Sequence, residues 1–491
     1  MTRSLTVRKG SYIDSVALMQ VSRQVSSLPG VRSALVAMAT ELNLELATGM
    51  GFALPDKTAP NEMLVAVEAD DDDAMSAALA EVDAALTAKV QPSSAGFGSA
   101  PAPLTIHAAA RTTQGGVALI STPGQYAFAD AVDAVDAGLH TMIFSDNMPV
   151  EQEVALKEYA SSTGVLVMGP DCGTAVIGGA GLGFANVVRP GPVGIVAASG
   201  TGAQHLMTLL DGAGVGLSHC LGVGGRDLSE AVGGISTVRA LDLLAADETT
   251  DVIVIVSKPP APSVAEKVQA HASSLGKPVV FGLLGKGQPD ITDTARRAVE
   301  AAGQSWQAPG HVAGSLDHGR DGGSLRGLFA GGTLCDEAMI LAAEVLGPIR
   351  SNIPLDPAWA LADTLASDGH TMIDFGDDRL TQGRPHPMID GSIRVDRLRA
   401  EITDPGCGVL LLDVVLGHAA ATDPAAELGP AISEATAAGV PVVVSLVGTK
   451  DDPQGLDAQA GALNQAGAWV FHSNAEAART ALDLLAKGSR A

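Results

Sequence analysis

The chain has 491 residues, more than one hydrophobic core supports, so its length predicts several domains. Hydrophobic residues make up 46% of it and aromatic residues only 3%, a composition that suits parallel sheets covered by small-residue helices. A formal net charge of −25 argues against nucleic acid and anionic membrane surfaces as partners, although such acidity also serves solubility alone.

Residues 1–90 alternate short strand and helix patterns in the manner of a small split βαβ domain of the α+β class. LTVRKG predicts a strand, Asp14 to Ser27 predicts a helix opened by an aspartate cap, and MLVAVEAD at 63–70 predicts another strand. We expect this domain to be regulatory or structural. The Pro-, Ser-, Gly- and Ala-rich stretch that follows predicts a linker over 91–112.

From residue 113 onward, strand, turn and helix patterns repeat, which is typical of doubly wound parallel sheets. The predicted fold class is therefore multidomain α/β, with flavodoxin-type sheets after a small N-terminal α+β domain. The predicted parts are a partial Rossmann-like domain, an α/β domain, a linker and a second α/β domain, at 113–190, 191–302, 303–324 and 325–491.

Two predicted strands end in similar glycine corners, SGTG at 199–202 and GGT at 331–333. Amides and hydroxyls at such corners can hold a phosphate, and two helix N-termini would converge on one anion. The alternative is a pair of ordinary strand-to-helix turns with a Ser or Thr cap. The candidate phosphate-binding residues are Ser199, Gly200, Thr201, Gly202, Gly331, Gly332 and Thr333.

The segment GVGGRD places an arginine at the carboxyl end of a predicted strand, where ligands of α/β sheets bind. Arg226 would act in catalysis by clamping a carboxylate or phosphate, and Gly224, Gly225 and Asp227 would line the substrate site. The alternative is an exposed salt bridge in a loop. Lys258 ends another strand before two prolines, which a simple turn also explains.

The densest cluster of polar residues is MIDFGDDRLTQGRPHPMID at 372–390. Arg384 would clamp an anion, and His386 would donate or accept a proton, with two prolines fixing the backbone around it. The alternative is an acidic surface loop whose charges pair with one another. The candidate substrate-binding residues here are Gly376, Asp377 and Asp378, and either aspartate would ligate magnesium or ammonium.

Four cysteines are scattered without metal-ligand spacing, which argues against a structural metal site and fits a reducing compartment. We interpret Cys335, which follows the GGT corner, as a small core residue in preference to an activated thiolate. No apolar run reaches membrane-spanning length, so we expect a soluble cytoplasmic protein without a membrane partner. The sequence also lacks the GxxxxGK[ST] nucleotide loop and a Gly-x-Ser-x-Gly elbow with suitable partners.

In their order, these motifs resemble the FdrA family over essentially the whole chain. The matching segments are MGPDCGT, FANVVRPGPVGIVAASGTGAQ, GVGGRDLSEAVGGIS, VSKPPA, GGT, IDFGDDRLTQGRPHPMID, LLLDVVLG and VGTKDDPQ. That family is similar to succinyl-CoA synthetase: residues 115–290 resemble the later part of its alpha subunit, and 325–485 resemble the carboxyl-terminal domain of its beta subunit. In those ligases two helix N-termini face a phosphorylated histidine, and the matching positions here are the SGTG and GGT corners.

The chain departs from the ligase pattern. After GKPVVFGLLGKG it continues QPDITDTARRAVEAAG, without the histidine that the ligases phosphorylate. The first half of the CoA-binding domain, with its Gly-rich turn, is replaced by the 1–90 domain, and no ATP-grasp domain is visible. These departures argue against CoA ligation through a phosphohistidine.

The resemblance implies a subunit of an oxamate carbamoyltransferase in purine (allantoin) catabolism, which converts oxalurate and phosphate to oxamate and carbamoyl phosphate. Phosphate or carbamoyl phosphate would be a substrate held by oriented amides, with Mg²⁺ as an optional cofactor. The partners would be a small anionic substrate and further subunits of a homo- or hetero-oligomer. Two other interpretations stay open: an acyl-CoA synthetase-like ligase that uses CoA, and a non-catalytic scaffold or regulatory subunit.

Overall fold

The structure of the protein is a computed structural model. The chain divides into two compact units, Met1–Pro103 with Asp378–Asp390, and Leu104–Asp377 with Gly391–Ala491. The predicted helix cap Asp14 lies outside the described residues. The structure describes residues 2–9, 13, 15–55, 58–59, 61–89, 103–112, 116–362, 365–381 and 384–488.

The N-terminal unit is built on one antiparallel sheet. Its strands and helices are β1 (Thr2–Arg8), α1 (Ser15–Ser26), β2 (Val31–Met38), α2 (Glu41–Gly49), β3 (Met63–Ala69) and α3 (Asp72–Lys89), and the strand order is β1-β3-β2. In the central strand, Val65 and Val67 belong to the core shared with α1 and α3, whereas Leu64 and Ala66 belong to the core on the other face. Burial on both faces explains the continuous apolar run of this predicted strand.

The second unit begins with a small parallel sheet in the order β4-β5-β6. Its elements are α4 (Ile106–Ala110), β4 (Val117–Ile120), α5 (Gly124–Asp136), β5 (His140–Ile143), α6 (Val150–Thr163) and β6 (Val167–Met168). Helix α4 forms inside the predicted linker 91–112, the part of which before residue 103 lies outside the described residues.

A six-stranded sheet follows, in the order β12-β11-β9-β10-β7-β8. Its elements are β7 (Thr174–Ile177), β8 (Ala180–Gly183), β9 (Pro190–Ala198), α7 (Gly200–Gly212), β10 (Leu217–Gly222), α8 (Ile235–Ala246), β11 (Val252–Ser257), α9 (Pro262–Ala272), β12 (Val279–Leu283) and α10 (Ile291–Ala301). The strands β9 to β12 are parallel, whereas β7 and β8 form an antiparallel hairpin on β10. The segment predicted as one domain, 113–190, therefore supplies strands to two sheets.

The third sheet has the order β13-β18-β17-β16-β14-β15. The strands of this sheet and the helices in the same part of the chain are β13 (His311–Val312), β14 (Ser324–Phe329), α11 (Gly332–Leu346), a 3₁₀ turn (Pro357–Trp359), β15 (Thr371–Asp374), α12 (Asp378–Thr381), α13 (Ser392–Thr403), β16 (Cys407–Val415), α14 (Pro424–Ala437), β17 (Val442–Val447), α15 (Leu456–Gln465), β18 (Trp469–Phe471) and α16 (Asn474–Gly488). Helix α12 belongs to the N-terminal unit. Strand β13 lies in the predicted linker 303–324 and pairs antiparallel with β18, while the other strands run parallel.

The predicted multidomain α/β fold class is confirmed, and its topology places the two glycine corners. From β9 the chain adds β10 on one side and later β11 on the other, and from β14 it adds β15 on one side and β16 on the other. Such a reversal opens a crevice at the carboxyl end of the strand, which is where open α/β sheets bind ligands. Both glycine corners follow such a strand end.

None of the helices in the described part of the chain has the length and apolar character that a membrane crossing requires.

Candidate functional site

The N-termini of α7 and α11 meet in the second unit. Ser199 caps α7 by accepting a hydrogen bond from the Gly202 amide at 2.9 Å, and its Oγ lies 2.6 Å from Thr333 Oγ1 in the first turn of α11. A Cβ atom on Gly331 would lie 2.9 Å from the Thr201 side chain, so only glycine permits this approach. The structure thus brings together the corners that the sequence singled out, and their binding of phosphate stays a prediction.

Amides in these first turns are available for an anion because the i→i−4 ladder has not yet begun. In α7 these are the amides of Gly200 and Thr201, and in α11 they are those of Gly332 and Thr333. The two helix dipoles add their positive ends at the same place. The arrangement therefore favours a small anion with several oxygen atoms.

A buried carboxylate accepts hydrogen bonds from the backbone of the GGT corner. Asp413 on β16 is fully buried, and it accepts hydrogen bonds from the amides of Ala330 at 2.7 Å and Gly331 at 2.8 Å. Arg394 of α13 lies 3.1 Å from the same carboxylate. Asp413 thus fixes the start of α11 and leaves the amides after Gly331 for a ligand.

Three charged side chains lie beside the first turn of α11. Lys258 follows β11, and its Nζ lies 3.7 Å from Oδ2 of Asp336. A Cβ atom on Gly332 would lie 2.9 Å from Lys258 Nζ and 2.6 Å from Oδ2 of Asp374, the last residue of β15. A cation and a carboxylate therefore approach the same helix terminus from the ends of strands in two different sheets.

Burial changes the pKa values of these three charged side chains. Burial raises the pKa of Asp374 to about 7, an effect that the neighbouring Lys258 opposes. Burial also raises the pKa of Asp336. For Lys258, burial acts to lower the pKa, but Asp336 and Asp374 outweigh it, so the pKa is raised and the side chain stays a cation. Its side chain is 41% exposed, which leaves the ammonium accessible to a ligand.

The GVGGRD loop uses its polar residues within the protein. Arg226 donates to the carbonyl of Met148 at 2.8 Å and pairs with Glu153 at 3.0 Å. Asp227 is fully buried and binds Lys157 at 2.7 Å. Two bonds from Thr237 and one from the Ser236 amide occupy the rest of its carboxylate. These contacts give Asp227 a structural role at the start of α8, and its contact with substrate stays a prediction.

The first of the two glycines before Arg226 is required by packing. Gly224 has a φ of +91°, and a Cβ atom there would lie 2.4 Å from the carbonyl oxygen of Pro170. A Cβ atom on Gly225 would make only an ordinary contact, at 3.4 Å from Oδ2 of Asp171. Backbone crowding therefore explains Gly224 alone, and binding of substrate by the two glycines stays a prediction.

The predicted segment 372–390 is divided between the two units. Gly376 stays beside the charged group, where its amide donates to Oδ1 of Asp374 at 2.9 Å, and the Asp377 amide points to the Asp374 carbonyl at 3.5 Å. Asp378, the exposed Arg384 and the half-buried His386 belong to the N-terminal unit, and His386 Nδ1 accepts from the Met388 amide at 3.2 Å. The catalytic roles of Arg384 and His386 stay predictions.

A magnesium site at Asp377 or Asp378 gains no geometric support. In the part of the chain that the structure describes, no three His, Cys, Asp or Glu side chains are grouped so as to hold a metal ion. Cys335 is fully buried in α11, and burial raises its pKa well above the ordinary value, as the core interpretation requires.

The sequence segments quoted above contain Lys258, Asp374 and Asp413, but no prediction gave these residues a role at the corners. Each stands at or near the end of a strongly apolar strand, in VIVIVSK, TMID and LLLD. A charged residue at that position is the available signal, because the carboxyl ends of neighbouring parallel strands share one edge of the sheet.

Family models match both ends of the chain. Residues 1–103 match "AllF, heavy metal-associated domain", and residues 328–484 match "CoA-ligase". The first segment contains neither cysteine nor histidine, the side chains that soft heavy metals prefer. Its residues therefore do not fit a heavy-metal site of thiolates or imidazoles.

Three whole proteins are similar to this chain to different extents. YahF of Escherichia coli (strain K12) is 37% identical over the full length of both chains. The alpha subunit of an ADP-forming succinate–CoA ligase from Methanothermobacter thermautotrophicus is 27% identical over 38% of this chain and 68% of that subunit. A solved dinucleotide-forming acetyl-coenzyme A synthetase 1 of Ca. Korarchaeum cryptofilum covers 82% of this chain and 88% of its own, with 18% identity and a TM-score of 0.31.

Proposed function

We propose a function from the premise that this chain belongs to the AllF/FdrA-like family of succinyl-CoA synthetase-like proteins, which includes YahF. The proposed reaction is carbamoyl transfer between oxalurate and phosphate, giving oxamate and carbamoyl phosphate. A phosphate oxygen attacks the carbamoyl carbon, the bond from that carbon to the oxamate nitrogen breaks, and the proton of hydrogen phosphate ends on that nitrogen. The chain would work as one subunit of a larger assembly.

The observation that carries the proposal is the 2.6 Å contact between Ser199 Oγ and Thr333 Oγ1. It joins two helix N-termini at one point, where first-turn amides and a lysine ammonium can hold phosphate. Oriented amides also stabilise the oxyanion that forms when phosphate attacks the carbonyl. The same groups would therefore bind phosphate and lower the activation barrier for its attack on the carbamoyl carbon of oxalurate.

The histidines of this region support transfer without a phosphohistidine. Residues 284–301, which follow β12, contain no histidine. His205 of α7 is fully buried, its Nε2 accepts from the Asn474 amide at 3.2 Å, and burial lowers its pKa to about 4. A buried neutral imidazole in this position is a structural residue, so free phosphate is the better candidate for the anion.

The test is formation of carbamoyl phosphate from oxalurate and phosphate, followed by ³¹P NMR. The full chain is assayed alone and together with the chains that copurify with it. We expect a carbamoyl phosphate signal, and we expect Thr333→Val to lower kcat/KM at least tenfold because it removes the hydroxyl that joins the helices. Ser273→Ala, at the exposed end of α9, is the matched control and should leave the rate unchanged. Absence of product in every mixture would rule the reaction out.

A second candidate is an acyl-CoA synthetase-like ligase, which the CoA-ligase match over residues 328–484 favours. Calorimetric titration with coenzyme A separates the two, because only the ligase requires CoA to bind. Product that forms only in mixtures with other chains would indicate that this chain depends on its partners. Product that forms equally well in the mixture without this chain would indicate a scaffold.

A further inference from the structure

Asp374 has one carboxylate oxygen that the fold leaves unused. The residue is only 5% exposed, and Oδ1 accepts a hydrogen bond from the Gly376 amide at 2.9 Å. Within the described residues, Oδ2 accepts no hydrogen bond. That oxygen faces the first residue of α11, since a Cβ atom on Gly332 would lie 2.6 Å from it. Because this unpartnered oxygen is not one of the fully buried atoms, a ligand at the first turn of α11 can reach it and share a proton with it.

Lys258 supplies a cation at the same point. Its Nζ would lie 2.9 Å from a Cβ atom on Gly332, and its weak pairing with Asp336 at 3.7 Å leaves ammonium donors for another oxygen. An anion at the amides of α11 would therefore contact Lys258 on one side and Asp374 on the other. Asp336 offsets part of the lysine charge when no anion is bound.

We propose, on the basis of the proposed function, that Lys258 binds the phosphate and that Asp374 Oδ2 carries the proton from phosphate to the departing oxamate nitrogen. The protonated carboxyl donates its proton to that nitrogen as the C–N bond breaks and the C–O bond to phosphate forms. The carboxylate then recovers a proton from the phosphate hydroxyl, so that atoms and charges balance. Asp374 is a catalytic residue in this scheme, and Lys258 binds substrate.

The ionisation of Asp374 suits this role. Its pKa is raised to about 7 by burial, which places both protonation states within reach near neutral pH. The charged groups that act on it are Lys258 after β11, Asp336 on α11 and Asp413 on β16, and the buried thiol of Cys335 is also near. A bound dianion would favour the protonated carboxyl further, because like charges repel.

The test uses sulfate, whose charge is constant from pH 6 to pH 8, as a stand-in for phosphate. Sulfate is titrated calorimetrically into the full chain at both values. We expect its affinity to fall about tenfold from pH 6 to pH 8, as a carboxyl with a pKa of about 7 loses its proton. Asp374→Asn should bind sulfate equally at both values, because the amide always donates. Lys258→Met should weaken binding at least tenfold, with partial recovery in Lys258→Arg.

The matched control is Glu337→Gln. Burial also raises the pKa of Glu337 to about 7, but its carboxylate is occupied by the Ile291 amide and Asn474, so the variant should keep the pH dependence of sulfate affinity. No sulfate binding, or a pH dependence that survives in Asp374→Asn, would overturn the inference. In an assay mixture that forms carbamoyl phosphate, full activity of Asp374→Asn would also overturn it and leave the reaction standing. The expected sulfate results in a chain that never forms carbamoyl phosphate would instead refute the reaction and keep the anion site.

Discussion

At the scale of single residues, burial destabilises the charged form of Asp374. The proposed reaction needs this effect, because it keeps a proton on the carboxyl near neutral pH. The pKa of an ordinary aspartate is near 4, whereas burial raises that of Asp374 to about 7. A surface carboxylate would be ionised at neutral pH and would repel phosphate. The site thus gains a proton carrier at a cost in stability.

That cost predicts how stability depends on pH. Because the folded pKa is raised, the contribution of Asp374 to stability is complete below about pH 4 and declines as pH rises through about 7. The stability of Asp374→Asn relative to wild type, measured by urea unfolding, should therefore rise by roughly 3 kcal/mol between pH 4.5 and pH 8. Ser273→Ala, at the exposed end of α9, is the control, because it removes no titratable group. An equal difference at the two pH values would contradict this account of Asp374.

At the scale of elements, the site depends on how closely α7 and α11 approach. Gly331 has ordinary dihedral angles, φ −110° and ψ 112°, so alanine there is not excluded by backbone strain. The obstacle is the other helix, because a Cβ atom would lie 2.9 Å from Cβ, Cγ2 and Oγ1 of Thr201. These atoms lie close to the backbone and cannot rotate out of the way together.

Gly331→Ala should therefore separate the two helix N-termini. We expect a loss of about 1–3 kcal/mol in the free energy of unfolding, typical of overpacking, and at least a tenfold weaker affinity for phosphate. Gly461→Ala in α15 is the matched control, since a Cβ atom there meets nothing within 4 Å. It should gain about 0.5–1 kcal/mol from helix propensity and leave phosphate affinity unchanged. Unaltered phosphate affinity in Gly331→Ala would show that the two corners bind independently.

At the scale of the whole molecule, local patterns were sufficient for the strands and for both corners. The apolar segment LLLDVVLG overlaps β16, in which every residue is buried. SGTG and GGT predicted helix starts because glycine and hydroxyl residues follow an apolar run. Repetition of this pattern also predicted the α/β fold class.

Long-range features were not available to such patterns. Lys258 and Asp374 are more than 100 positions apart and meet only because two sheets place their strand ends at one helix. The hairpin of β7 and β8 joins the second sheet, although the chain around it suggested the first. Residues 378–390 group with the N-terminal unit, although they lie within the predicted 325–491 domain. Each outcome is decided by tertiary contacts, which no local spacing encodes.

The most direct test of a phosphate site at the two helix N-termini is calorimetric titration of phosphate into the full chain and into the double variant Thr201→Pro with Thr333→Pro. Proline is tolerated in the first turn of a helix and removes one amide donor from each corner. Circular dichroism first establishes that the double variant keeps its helix content. We expect wild type to bind phosphate and the folded double variant to bind it at least tenfold more weakly. Equal affinity in the folded variant would contradict a phosphate site at these two helix N-termini.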